Sequence, residues 1–149
     1  MAAILNALSR AVLIWLLIMA AETLQGAARH LLLSPALEQA LRQLSVIVGV
    51  IVIFAITWAF LPWMRIRTTR QALAVGALWA ALTLAFEFGF GWFSGASWSR
   101  ILADYDLPHG GLMPLGLLAM ALTPWAVRRL QALPQQGPPP VGRRTGKTP

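Results

Sequence analysis

The sequence contains no cysteine and a single tyrosine, and only 11% of its 149 residues are charged. Each scarcity excludes something. Without cysteine there is no disulfide framework, no thiolate metal site and no cysteine nucleophile. A soluble domain carries roughly 25% charge, so this chain has too little to clothe a water-facing surface of its size. That excludes an ordinary soluble enzyme and a long disordered protein. Acids are scarcest: Glu22, Glu38, Glu87, Asp104 and Asp106 stand against twelve Lys and Arg, for a net charge of +7. The basic residues form no stripe along one soluble face, so nucleic acid is not an expected partner.

What is present is apolar: 58% of the residues are hydrophobic. Four apolar runs stand out, at about 11–28, 44–61, 72–93 and 110–127. Crossing ~30 Å of hydrocarbon takes about 20 helical residues. The second and third runs meet this easily. The fourth is completed by starting near Gly110, with Pro114 in its first turn, where a missing N–H does no harm. A chain in lipid must satisfy its own backbone, and these Leu- and Ala-rich runs show no period-2 alternation, so they read as helices. The first run has a loose likeness to a signal peptide, with Arg10 before an apolar stretch and Ala20-Ala21 after it. Met19 is too bulky for the position three before such a cut, and small and apolar residues continue to Ala28, so a retained helix is expected. The fold class is therefore all-α: a polytopic membrane protein with four transmembrane helices in an antiparallel bundle. One domain covers 1–130. A Pro-, Gly- and Gln-rich tail, 131–149, is too poor in apolar residues to fold and is expected to be disordered.

Charge gives the expected orientation. Arg10, Arg65, Arg67, Arg70, Arg128, Arg129, Arg143, Arg144 and Lys147 fall on one side of the four runs, and all five acids fall on the other with Arg29, Arg42 and Arg100. The positive-inside rule then places both termini in the cytoplasm. Two short interfacial helices are expected on the outer face. One follows Ser34-Pro35 with a Glu38–Arg42 pair, and the other puts Trp98, Ile101, Leu102 and Tyr105 on one side.

A shift of 65 residues aligns Glu22 with Glu87, Gly26 with Gly91 and Ser34 with Ser99. The result is a weak parallel two-helix repeat, which puts both glutamates at one membrane level. The segments Glu87-Phe88-Gly89-Phe90-Gly91, Ser97-Trp98, Asp104-Tyr105-Asp106-Leu107 and Gly110-Gly111-Leu112, with Glu22 to Gly26, Arg42-Gln43 and Gly49, resemble a family of small, uncharacterised bacterial four-span integral membrane proteins. The resemblance spans everything but the tail and implies the four-span topology. It implies no catalytic residue and no cofactor. Members of that family often carry basic residues where this chain has Pro108-His109, so it implies no role for that turn.

Glu22 and Glu87 are the informative pair. A carboxylate at their depth costs something like 2.5–3.5 kcal/mol on insertion scales, so each is expected to face the bundle interior. On one helix Thr83, Glu87 and Gly91 form a stripe that Gly95 extends, a small-xxx-small pattern for a close helix neighbour. On the other, Trp15, Glu22, Gly26 and Arg29 share a face. If the stripes meet, the two carboxylates share a proton or hold a cation, with Thr83 beside them. The plainer alternative pairs them with Arg29 or Arg100 for fold maintenance alone. Asp104, Asp106 and His109 are a weaker outer-face set, with His30 more distant still. Their spacing matches no zinc or calcium loop, so no metal is expected. Three functions stay open: proton or small-cation binding or transport, a structural or assembly subunit, and a lipid-directed membrane enzyme. The bilayer is the expected partner, with a homo-oligomer or a larger membrane complex also open.

Overall fold

The structure, a computed structural model, describes residues 2–32, 37 and 42–132. Among them are five α-helices and no strands: α1 (Ala2–Leu32), α2 (Arg42–Met64), α3 (Thr69–Phe93), α4 (Trp98–Ala103) and α5 (Met113–Gln131). Segments of α1, α2 and α3 are each long and apolar enough to cross a membrane: Asn6–Arg29, Leu44–Met64 and Thr69–Phe93. The first expected interfacial helix, with Glu38, and the tail beyond 132 lie outside the described residues.

Local chemistry sets the helix ends. Thr68 accepts from the Gln71 amide while the Gln71 side chain accepts from the Thr68 amide, a reciprocal cap that opens α3. Between α2 and α3, Arg65 takes a left-handed φ of 57° and turns the chain within a few residues. Gly110, at φ 90°, does the same before α5. That turn is why α5 begins at Met113 and not near 110, and Pro114 falls in its first turn. Gly95, at φ 73°, lies beyond the end of α3. It therefore serves a turn, and the expected Gly91–Gly95 packing stripe ends at Gly91, over which the Ile101 side chain of α4 lies.

Bonds between the helices give the topology. Trp79 Nε1 donates to the Ala11 carbonyl at 2.8 Å, and Trp15 Nε1 donates to Thr83 Oγ1 at 3.0 Å. Both join residues 68 apart in the same order, so α1 and α3 run parallel, with residue i level with i+68. Against α2 the partners run the other way: Arg10 reaches the Trp63 carbonyl, and Gln25 reaches that of Ser45. α1 and α2 are antiparallel. α3 and α5 are too, since Arg128 bonds the Arg67 carbonyl and Thr69 at one end while Thr83 meets Met120 Sδ higher up. α3 and α5 approach closely at Gly76, where any Cβ would overlap the Ala121 carbonyl oxygen. By contrast α1 and α3 meet sparingly.

The core is small and lies toward the basic end. Ile14, Trp15, Ile18, Ile53, Leu61, Met64, Trp79, Met120 and Val127 form it, and Trp79 and Ile18 are fully enclosed. Outward, the helices present Leu13, Leu16, Ile51, Leu73 and Leu118. An apolar exterior of this kind is stable against lipid and not against water. Charge separates by end. Arg10, Arg65, Arg67, Arg70, Arg128 and Arg129 gather where α1 begins and α5 finishes, while Glu22, Glu87, Asp104 and Asp106 belong to the opposite half. At the basic end the Arg10 guanidinium lies over Trp63 at 5.1 Å and that of Arg129 over Trp125 at 5.9 Å.

Candidate functional site

In the acidic half no hydrogen bond among the described residues joins α1 to α3, and a cleft of about 570 Å³ lies there. α1 lines it with Glu22, Gln25, Gly26 and Arg29, and α2 with Ser45, Val46, Gly49, Val50 and Ile53. α3 adds Glu87, Phe90 and Gly91; α4 and the turn after it add Arg100, Ile101, Asp104 and Tyr105; α5 closes the floor with Met113 and Gly116. The 68-residue register sets Glu22 level with Phe90. Glu87 is then three residues lower, about 4.5 Å at 1.5 Å per residue. Both glutamates thus face one cavity at nearly one height.

The Glu22 carboxylate settles over Gly49 of α2, so close that a Cβ there would stand 2.8 Å from Oε2. Its Oε1 is out of solvent and, among the described residues, without a hydrogen-bond partner. One turn further along α1, Gln25 donates from Nε2 to the Ser45 carbonyl at 3.0 Å, which leaves its buried Oε1 an acceptor with no donor. The Tyr105 hydroxyl is likewise buried and without a partner among the described residues, while its ring stacks on Phe88 at 5.5 Å. Burial pushes the Tyr105 phenol above its usual range, and the negative charges of Glu87 and Asp104 push it further the same way. Glu87 itself is more exposed than Glu22.

The remaining sequence candidates divide. Among the described residues, neither glutamate makes an ion pair with Arg29 or Arg100, although both arginines line the same cavity. Thr83 lies outside it. Its hydroxyl accepts from Trp15 Nε1 and meets Met120 Sδ at 3.1 Å inside the core, so it closes a polar gap between three helices. Asp104 faces the cavity, whereas Asp106 and His109 turn away and pair with each other on the surface, Oδ2 to Nδ1 at 2.7 Å. Among the described residues no three His, Asp or Glu side chains gather as a metal site would require. His30 is in α1, but its side chain is outside what is described. Gln25, Tyr105 and Gly49 are the site residues that the sequence reading passed over. For Gln25 the signal was its place three after Glu22, on the same helix face.

Compared with protein-family models, with curated proteins and with solved structures, the chain finds no match.

Proposed function

We propose that the chain is a four-span protein of a bacterial inner membrane whose acidic-half cavity binds or passes a proton or small cation at Glu22 and Glu87. One observation carries this reading: the two carboxylates line a single cavity at nearly the same height, unpaired with either neighbouring arginine among the described residues. A carboxylate withdrawn from water and left without a donor is costly, and a proton or a cation is the direct relief. Three further features support the membrane setting. The 19 residues of α5 extend about 28 Å at 1.5 Å per residue, long enough for a fourth span with Pro114 and Pro124 inside it. The basic end supports a cytoplasmic location for both termini. The parallel α1 and α3, whose 68-residue register is close to the 65-residue sequence shift, support an internal repeat.

The test is infrared difference spectroscopy of the chain in lipid, between pH values and between Na⁺- and choline-containing buffers. Carboxyl bands responding to pH or Na⁺ are expected in the wild type and should vanish in the Glu22→Gln/Glu87→Gln double variant. Gln keeps the shape and costs less to bury than an ion, so the fold should survive. Wild-type spectra without any carboxyl response would overturn the reading.

A further inference from the structure

The same cavity is larger and more apolar than a bare ion needs. We infer that its occupant is a primary ammonium carried on an apolar body, either a soluble alkylamine or the ethanolamine headgroup of a lipid. The inference rests on the reading that the carboxylates hold a cation, and it names which kind. Pockets for organic ligands run from about 300 to 1,000 Å³, and this one is about 570 Å³. Water's share of liquid volume is only about 30 Å³, so a proton or a monatomic ion leaves most of the space without a partner.

The wall is divided by chemistry. Val46, Val50 and Ile53 from α2, with Phe90, Ile101 and Met113, supply apolar surface. Glu22, Gln25, Glu87, Asp104 and Tyr105 supply polar surface. Arg29 and Arg100 line the cavity as well. The orphaned atoms refine the headgroup. On α1 the buried side-chain atoms in the cavity are Glu22 Oε1 and Gln25 Oε1, acceptors one helical turn apart without a donor among the described residues, and, a turn beyond them, the donor Arg29 Nε. An –NH₃⁺ group brings three donors; a quaternary ammonium brings none. A buried acceptor left without a donor is destabilising, so the cavity discriminates for N–H groups and against methylated ones. Space for the apolar body exists beside Gly26 and Gly116, where an added Cβ meets nothing within 4 Å.

Isothermal titration of the full chain in non-ionic detergent, with methylammonium, hexylammonium and hexyltrimethylammonium, tests this. Hexylammonium should bind at least tenfold more tightly than its trimethyl analogue, whose equal chain controls for micelle partitioning. It should also gain about two- to fourfold for each methylene over methylammonium. Glu22→Gln, which removes charge, and Gly116→Leu, which fills the cavity, should each weaken hexylammonium at least tenfold. Equal binding of the two hexyl cations, or no gain over methylammonium, overturns the inference whether or not the variants fold. If the infrared carboxyl response persists in that case, the proton or cation reading stands alone; if it is absent too, both fall. Repeating the titration in nanodiscs of phosphatidylcholine with and without phosphatidylethanolamine separates the sources. A fivefold or greater loss of apparent hexylammonium affinity with phosphatidylethanolamine assigns the lipid headgroup, and unchanged affinity assigns a soluble amine.

Discussion

Tyr105 reports on the cavity from a position no other residue duplicates, because it is the chain's only tyrosine. Its hydroxyl is buried beside Glu87 and Asp104, and both burial and charge favour the neutral phenol. The folded pKa therefore lies above the unfolded value. Its contribution to stability is whole below the usual value of 10.0 and is lost as pH rises through the higher folded value. A tyrosinate absorbance titration of the folded chain should give a midpoint above 10.0, returning to the usual value in denaturant. Glu87→Gln should lower the folded midpoint only partly, since burial is the larger cause. A midpoint that ignores Glu87 would separate the two residues. Rarity made Glu22 and Glu87 visible in the sequence: a carboxylate inside an apolar run is costly wherever it faces. Thr83 was harder to place. Spacing of i, i+4 puts it on the Glu87 stripe, but a stripe borders two neighbours, and the indole N–H of Trp15 claims the threonine for the core.

At the scale of elements, the three apolar helices were legible because length and composition alone mark a segment able to cross lipid. Their ends were not. α1 begins at Ala2 because Ala, Ile and Leu before Arg10 are good helix formers, and a count of apolar residues starts only after the charge. The α3–α5 contact was also missed, since a lone Gly76 in an Ala-rich run looks unremarkable until Ala121 is packed upon it. Gly76→Ala is the corresponding prediction. The methyl has no room beside the Ala121 carbonyl, so the helices must separate and the Thr83–Met120 and Arg128–Thr69 contacts between them must stretch. Overpacking of this kind costs about 1–3 kcal/mol, and unfolding of the variant in mixed detergent micelles should show a loss of that order. Gly116→Ala, with open space around it, should change stability by no more than about 0.5 kcal/mol.

For the molecule as a whole, the lack of cysteine makes topology directly measurable, because a single introduced thiol is the only one present. Ala103 and Ala132 are both exposed and lie at opposite ends of the bundle. In intact cells a membrane-impermeant maleimide should label Ala103→Cys and spare Ala132→Cys until the inner membrane is opened. The reverse pattern would invert the orientation, and labelling of both from outside would remove α5 as a span. Charge asymmetry in the sequence carried this expectation. The cavity was not legible, because all five helices line it, and the periodicity of one helix does not record the space its neighbours leave.

The two indole bonds have a mechanical consequence. Trp79 to Ala11 and Trp15 to Thr83 clamp α1 to α3 at two successive turns near the basic end, and together they form a fulcrum. From residue 15 to residue 29 the arm of α1 beyond the clamp measures about 21 Å at 1.5 Å per residue, and Gln25 holds it to α2 at Ser45. A tilt of about 5° at the clamp sweeps the far tip of that arm through about 2 Å, more than one residue's rise. Because Gln25 holds α1 to α2, the two helices would swing as one jaw against α3, with the carboxylates between the tips.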